Sequence, residues 1–537
     1  MDFKQEGWLP HLIDAIPIAA RKNHTSLYTI ALEGWRRGLK VSFFNSKHEE
    51  GKRIGCTLYH DGNPYHFIGS SGHLITDEII DICDDKGLTN EYLSKAEVPI
   101  PQGKEFGESI SDEEIISYSK TIDYPLVLKP TDGKAGRGVI AGIESEKDLK
   151  NALKVVRNRL GYKNILLQQY VTGDEIRIYV LDGRVLAASN RRPANILGDG
   201  ITTVKNLIIQ KNELRKKVPS LYFRPIKLDK EIYNNIRLQG HTMESIPKKG
   251  ERVFLRKISN LSRGGESVDV LEKLTEEQKN IAVRATQAIP GLVQCGVDMI
   301  LNDETGSGVI LELNTRPGIG NHLFPVEGTA KDIPTEIVDY YIPGTKGIHT
   351  KDSNVYFEFK NVLDTLKEKV VEEIEIRPYP GTLISKRMII EGDKDVRSIY
   401  SKIEKVVNAH ELHGYLRVLS NSESELIFGG ETETGVEEAI SRLKDITDHN
   451  GLELTAVEKH EAPVLAGFRI LDKTSEMSLA DLKKEIKNIR EIESVVNREI
   501  ARVKRRIDLM QKSHSWRLTY PIRMGASKIK VAARRMK

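Results

Sequence analysis

The chain has 537 residues, 39% of them hydrophobic and 29% charged, with a formal net charge of +4. That length is too great for one ordinary core, and the composition is that of a folded globular protein, which excludes a disordered, fibrous or disulfide-stapled chain. Cys56, Cys83 and Cys295 are too few and too far apart for a disulfide framework or a zinc cluster, so a reducing cytoplasm is expected. The first residues are mixed in polarity and no apolar run reaches the ~18 residues that span a bilayer, which argues against a secretion signal and a membrane anchor.

In chain order, residues 26–45 read as an amphipathic helix, a Gly-containing turn and a strand, so a small α/β lead-in domain is expected over 1–89. Short apolar strands (125–130, 164–171, 176–183, 309–314) then alternate with polar helical runs at 145–160 and 275–288, the pattern of an α+β domain placed at 90–345. The polar, Gly- and Pro-containing stretch 340–354 is taken as a boundary, with another α+β unit at 355–460. Within 475–537, Leu479, Leu482, Ile486, Ile489, Ile492, Val495, Val503, Ile507 and Met510 recur every three or four residues over most of their span. That spacing describes one apolar stripe on a long helix, which is expected to pack on another helix, either in a homo-oligomer or within its own chain. From Arg502 to Lys537 the tail is strongly basic, with Asp508 as its acid, and is where an anionic partner would be sought.

Three segments carry chemistry. Leu126–Pro130 delivers Lys129 from a strand into a loop containing Gly133, Gly136 and Gly138; glycines let backbone N–H groups approach phosphate oxygens, and the lysine supplies a compact positive charge. An ordinary hairpin explains such a loop equally well when it stands alone. The segment from Gln168 to Arg177 offers a strand edge that can read an adenine and, a few residues on, Glu175, which can accept ribose hydroxyls; a turn on an amphipathic hairpin is the competing reading. Finally, Glu312 and Asn314 lie two apart in a strand and share a face. With Asp298 on a neighbouring strand they would make a hard, all-oxygen site suited to Mg2+, whereas carboxylates left unpaired among apolar residues are costly.

These segments, in this order, resemble the ATP-grasp superfamily, and most of all the ATP-grasp domain of cyanophycin synthetases. The resemblance covers roughly residues 75–335 and extends to Asp85-Lys86-Gly-Leu-Thr89, Val98-Pro-Ile-Pro101, Arg192-Pro-Ala-Asn195, Gly198-Asp199-Gly200, Leu255-Arg256, Asn260-Leu-Ser262-Arg-Gly264-Gly265 and His322-Leu-Phe-Pro325. It implies an enzyme: an ATP-dependent ligase that joins a small-molecule carboxylate to an amine through an acyl phosphate, with ATP and Mg2+ or Mn2+ as cofactors and little need for a protein nucleophile. It further implies Lys129 on the α/β-phosphates, Gly133, Gly136 and Gly138 over the β/γ end, and Gln169 and Val171 at the adenine hinge. Glu175 would lie on the ribose, Arg256 on the transferred phosphoryl group, and Arg316 and His322 on the acceptor side, with Asp298, Glu312 and Asn314 holding the metal. Two departures stand out: Gln168 replaces an acid of the hinge, and Asn90 stands about where relatives carry a second phosphate-binding lysine. The second nucleotide site of cyanophycin synthetase has no counterpart, so cyanophycin is not the expected product.

Residues 380–445 read strand, helix, strand, strand, helix, an order similar to the acylphosphatase fold, a ferredoxin-like arrangement, with Arg397 near that family's phosphate-binding arginine. Val418 stands where its catalytic asparagine belongs, so an inactive packing or binding domain is expected. The tail from Ser513 to Arg523 resembles those of bacterial enzymes that build cell-surface polysaccharides, and its Trp516 and Tyr520 among basic residues suit an anionic membrane interface at the inner face of the membrane. Nucleic-acid binding is not expected, since no recognition module accompanies the patch. The expected class is therefore a multidomain α/β and α+β enzyme: an ATP-grasp fold, an acylphosphatase-like domain and a long C-terminal helix, working on a cell-surface or amino-acid-containing polymer. The competing functions are a nucleotide-binding scaffold without turnover and an acylphosphatase.

Overall fold

The computed structural model describes residues 7–21, 23–46, 53–131, 138–302, 305–368 and 371–471. Gly133, Gly136 and the helix with its basic tail expected over 475–537 lie outside the described residues. No described helix is long and apolar enough to cross a membrane.

The first unit is built around helix Thr25–Arg36, which is buried along its whole length. Gly34 lets it approach the sheet, since a β-carbon there would lie 2.7 Å from a Leu58 methyl. Against it lie strands Lys40–Ser46, Arg53–His60, Asn63–Ile68 and Ser71–Gly72, joined antiparallel in chain order. The outer edge of this sheet is closed by Glu373–Glu375, which pairs with Lys40–Ser46 from more than 300 residues away in sequence. Phe357 and Phe359 pack edge-on or tilted against Tyr28, Trp35 and Phe43, with centroids 4.7 to 5.9 Å apart. The Trp35 indole N–H donates to Arg377 O (2.7 Å), and Arg36 donates to Val355 O (2.8 and 3.0 Å). Residues 355–377 therefore pack with the first unit, across the stretch 340–354 that the sequence marks as a boundary. A two-residue strand and a three-residue strand are too short to show a period, which is why the return of the chain was not visible in sequence.

Two sheets face the centre of the chain. One has the order Gly103–Phe106, Ile165–Gln169, Leu126–Pro130, Ile140–Ile143, covered by helices Asp112–Ser119 and Glu146–Leu153. The other has the order Glu266–Asp269, Arg184–Arg192, Glu175–Leu181, Gln294–Asn302, Ser307–Asn314, all antiparallel. Ile176, Ile178, Val180, Val297 and Met299 alternate onto one face of this second sheet and bury against helix Glu276–Gln287, whose Thr275 and Gln278 form a reciprocal cap. On the opposite face Tyr179 and Leu181 join the core of the first unit, and Glu175, Arg177, Asp298, Glu312 and Asn314 make up a polar stretch. Between Asn195 and Phe254 a small lobe carries helices Val204–Lys217 and Lys230–Leu238 over a two-stranded ribbon, with its own core of Ile196, Val204, Ile232, Ile236 and Leu255.

The two sheets are joined by the turn from Gln169 to Glu175. Gly173 sits there at φ +146°, and a β-carbon would come within 2.3 Å of Leu301 O. Gly173→Ala is expected to lower the melting temperature, with about 1–3 kcal/mol lost to backbone strain alone and the clash adding to it; a thermal melt matching the parent would show that this turn yields.

The last described unit runs strand Ile384–Glu391, helix Tyr400–Ala409, strands His413–Val418 and Glu423–Gly430, helix Glu433–His449, strand Glu453–Lys459 and strand Phe468–Leu471. Its sheet order is Glu453–Lys459, Ile384–Glu391, Glu423–Gly430, His413–Val418, Phe468–Leu471. One face buries Met388, Ile390, Leu416, Leu426 and Phe428 beneath the two helices, while Tyr415 and Ile427 on the other join the core of the first unit.

Candidate active site

The polar face of the second sheet is set by register. Asp298 pairs directly with Glu312 on one side and with Arg177 on the other, and Asn314 stands two residues beyond Glu312. Directly opposed residues of an antiparallel ladder share a face, so Arg177, Asp298, Glu312 and Asn314 point the same way. The carbonyl-bearing amide of Asn314 lies against Asp298, with Nδ2 3.5 Å from Oδ2.

Asp298 is buried and is held by Arg177, whose Nε and Nη2 donate to its two oxygens, the latter at 2.7 Å. Arg191 lies 3.4 Å from Asp298 Oδ1 and donates to Glu175 Oε1 at 2.8 Å. The four charges alternate in sign along the sheet, so a buried carboxylate is neutralised in place. Burial lowers the affinity of Arg177 for its proton, but the charge of Asp298 more than compensates and the guanidinium ends above its ordinary value. Burial raises the Glu175 carboxyl, with Arg191 opposing.

Across from this face, Lys129 arrives on strand Leu126–Pro130. Burial and the neighbouring ammonium of Lys86 bring Lys129 down to about 8, while Glu312 pulls the other way. Lys86 opens helix Lys86–Lys95, whose first turn is capped by the Asp85 carboxylate accepting from Gly87 N (2.8 Å) and Leu88 N (3.0 Å). Two lysines therefore meet where the sequence pointed to one. Lys86 lies one turn before Asn90 on the same helix, and its approach to Lys129 depends on packing between elements distant in sequence. Among the described residues the Lys129 ammonium makes no hydrogen bond or salt bridge.

At the hinge, Gln169 N donates to Gln102 O and Tyr170 N to Pro125 O, both at 2.8 Å. The N–H of Gln169 is thus used in the fold, and the next open backbone at the strand end is Val171, which makes no backbone hydrogen bond among the described residues. Gln168 is buried, opposite Val127. Gly138 sits at φ +81° beneath Pro130 and Tyr162, where a β-carbon would meet the proline ring at 2.7 Å.

Arg256 departs from its expected position on a phosphoryl group. Its guanidinium is buried and spent: Nε donates to Arg263 O (2.9 Å), Nη1 to Glu231 (2.7 Å), and Nη2 to Asp229 (2.7 Å) and Lys227 O (3.1 Å). In this arrangement it fastens the small lobe to the loop before Gly264. Arg316 lies in the loop after Asn314, and its flanking carbonyls, Thr315 O and Pro317 O, accept from Ser71 Oγ and from Ser70 Oγ (2.7 Å) of the first unit. His322 is buried beside Tyr179, ring centroids 6.4 Å apart, and burial with Arg177 and Arg191 nearby brings it down to about 3, so it is a neutral imidazole near pH 7.

Two carboxylates and an amide oxygen on one face suit a divalent oxygen-seeking cation: the carboxylate oxygens that accept from Arg177 keep further lone pairs, and Glu312 has no hydrogen-bond or salt-bridge partner among the described residues. No group of three or more His, Cys, Asp or Glu side chains placed to hold a metal ion occurs among the described residues, so Asn314 is needed to complete this set.

Residues 83–213 and 242–340 match the family model of the RimK-like ATP-grasp domain. The chain is 32% identical over 271 residues to a cyanophycin synthetase of Nostoc sp., covering 49% of this chain and 30% of that protein. It is 31% identical over 268 residues to the glutathione biosynthesis bifunctional protein GshAB of Clostridium perfringens, covering 48% of this chain and 34% of the relative. A crystal structure of a bifunctional glutathione synthetase from Pasteurella multocida aligns with a TM-score of 0.46 at 26% identity, over 57% of this chain and 42% of that one. The match thus spans about a third of the length of these curated relatives.

Proposed function

From a chain that carries a RimK-like ATP-grasp domain over residues 83–213 and 242–340, we propose an ATP-dependent ligase that joins a carboxylate to an amine through an acyl phosphate. The observation that carries this reading is the approach of Lys129, with Lys86 beside it, to Glu312, which shares a sheet face with Asp298 and Asn314. A cationic pair near a carboxylate pair is what a polyphosphate with a divalent cation requires, and the Lys129 ammonium, which Glu312 offsets only in part, gains from an added anion.

In this reading Lys129 and Lys86 bind the phosphates of ATP, Val171 meets the adenine edge and Glu175 faces the ribose. Asp298, Glu312 and Asn314 would hold Mg2+, which when bound supplies charge neutralisation at the terminal phosphates. Arg177 keeps Asp298 oriented, and Arg191 ties that carboxylate to Glu175, so the two ends of the nucleotide site move together. A substrate carboxylate oxygen attacks the γ-phosphorus and ADP leaves; the amine nitrogen then attacks the acyl carbon and inorganic phosphate leaves. Arg316, in a loop pinned by Ser70 and Ser71, and neutral His322 would line the acceptor side. Arg256 would join them only after exchanging Asp229 and Glu231 for phosphate.

ADP release screened over amino acids, short peptides and uronic acids tests the proposal. Turnover that needs both an acid and an amine is the expected result; nucleotide binding with no turnover for any pair would favour the scaffold reading, and failure to bind Mg-ATP would remove both.

For residues 384–459 we favour an acylphosphatase-like fold used for packing. Arg397, the residue on which hydrolysis would depend, donates to Asp395 (2.9 and 3.1 Å) and to Asn421 (2.8 Å). Acetyl phosphate should therefore be hydrolysed no faster by the parent protein than by Arg397→Ala; a rate lost on that substitution would make the domain an enzyme. The stripe from Leu479 to Met510 is read, from sequence, as a surface for self-association, to be checked by light scattering, and the basic tail as a contact with anionic membrane.

A further inference from the structure

The small lobe combines two properties on its surface. Residues 195–265 hold fifteen Lys and Arg against six Asp and Glu, in a chain whose formal net charge is only +4. The large hydrophobic side chains most open to solvent among the described residues, Ile201 (81%), Leu238 (76%) and Ile258 (61%), also lie there. Exposed hydrocarbon is ordinary when scattered, but grouped it marks a contact surface.

The grouping follows from helix Lys230–Leu238 and the segment beside it. The helix buries Ile232, Asn235 and Ile236. At about 100° per residue, Lys230, Tyr233, Arg237 and Leu238 fall on the opposite side, and all four are exposed. Segment 254–258 runs back along the helix. Gln239 Nε2 donates to Phe254 O (2.7 Å) while its Oε1 accepts from Phe254 N (3.0 Å), and Asn235 donates to Leu255 O (3.2 Å). Arg256 then reaches Glu231 and Asp229 at the helix start (2.7 Å each) and Lys227 O (3.1 Å). Exposed Phe254 thus lies by Leu238 at one end of the helix, and exposed Leu228, Lys257 and Ile258 lie by the other. Nine helical residues make this a strip about 13 Å long.

Its charge is of one sign. Lys227, Lys230, Arg237 and Lys257 are exposed, and their side chains make no hydrogen bond or salt bridge among the described residues. The acids of the strip are already engaged: Asp229 and Glu231 accept from Arg256, and Glu231 also from Arg263 (2.6 Å). A complementary occupant therefore brings negative charge and hydrocarbon together. The basic stretch from Arg502 to Lys537 has the wrong sign, and a soluble polyanion offers nothing to Leu238. An anionic bilayer supplies both, with headgroups for the cations and acyl chains for the apolar side chains. Lys and Arg stems lie along hydrocarbon while their charges stay among headgroups, and a tyrosine ring suits the same boundary.

We propose that this strip docks the protein on an anionic lipid surface, with helix Lys230–Leu238 lying in the headgroup layer and Tyr233 and Leu238 turned to the acyl chains. The inference is independent of the ligase reading.

Co-sedimentation of the full-length protein with vesicles tests it, using phosphatidylcholine alone and phosphatidylcholine with about a third phosphatidylserine. Binding to the mixed vesicles that weakens as salt rises is the expected result, with little on phosphatidylcholine alone. Lys230→Gln with Arg237→Gln should lower the partition coefficient about 20- to 30-fold, from roughly fivefold per cation. Tyr233→Gln with Leu238→Gln should lower it about tenfold or more. Lys230→Arg with Arg237→Lys should keep the parental value, and all three pairs should melt like the parent, because the side chains are exposed. Equal binding to both kinds of vesicle, or no binding to either, would overturn the proposal. So would binding that none of these substitutions alters, which would belong to another part of the chain. Loss with the cationic pair alone, together with capture of poly-L-glutamate by the parent, would make the strip a dock for a soluble polyanion and overturn the lipid assignment.

Discussion

Glu312→Gln should fold and melt like the parent while releasing ADP about 10²–10³-fold more slowly, the loss typical when a group that stabilises developing charge is removed. The expectation follows from the different surroundings of the two carboxylates. Glu312 is partly exposed and its carboxylate has no hydrogen-bond or salt-bridge partner among the described residues, so an amide in its place leaves no donor stranded and removes only a long-range attraction to Lys129. Asp298 is buried with Arg177 on both of its oxygens, and Asp298→Asn would leave a buried guanidinium short of its charge partner, a change that costs about 3–5 kcal/mol when such a pair is broken. The two variants therefore separate: one loses turnover with stability intact, the other loses both. Paired thermal melts and ADP assays read this out. Near-parental turnover in Glu312→Gln would remove Glu312 from the metal set, and equal melting of the two variants would mean that Arg177 finds another partner when Asp298 is neutralised.

The contrast shows which parts of the site could be read from sequence. Glu312 and Asn314 share a face because strand side chains repeat every two residues, and that inference needs no knowledge of the fold. The pairing of Asp298 with Glu312 follows from a hairpin between neighbouring strands, also a local matter. Arg177 was quoted as the end of the hinge segment, but its hold on Asp298 spans 121 positions and depends on which strand lies beside Gln294–Asn302. Arg191 entered by the same route, through the register of Arg184–Arg192 with Glu175–Leu181. Arg256 was read from its motif alone; its occupation by Asp229 and Glu231 depends on a helix start elsewhere in the lobe, at Lys230–Leu238. The long alternating strands of both sheets were legible for the same reason as Glu312, whereas the return of Glu373–Glu375 to the first sheet was hidden by its brevity.

Lys129 gives the second large effect, and its sign is fixed by its surroundings. In the free protein its ammonium is brought down to about 8 by burial and by Lys86. Phosphates placed beside it would favour the charged form, so the bound state holds the proton to higher pH than the free state. Above about pH 8, binding ATP must then take up a proton, and the affinity should fall as pH rises through that region. Lys129→Met should bind ATP on the order of 10- to 100-fold more weakly, from ~1.5–3 kcal/mol for a hydrogen bond to a charged group, and should lose the pH dependence. Lys129→Arg stays charged throughout this range, so it should keep the charge and flatten the same pH dependence, although its planar fork replaces a compact ammonium. Folding carries the opposite sign: the native state sheds this proton before the unfolded chain does, so the cost of burying the charge is greatest below about pH 8 and is relieved as pH rises towards the ordinary lysine value. Titration of ATP binding between pH 7 and 9, with the three proteins in parallel, decides the matter. A parent affinity that is level across this range, or a slope that survives in Lys129→Met, would show that another group governs nucleotide binding.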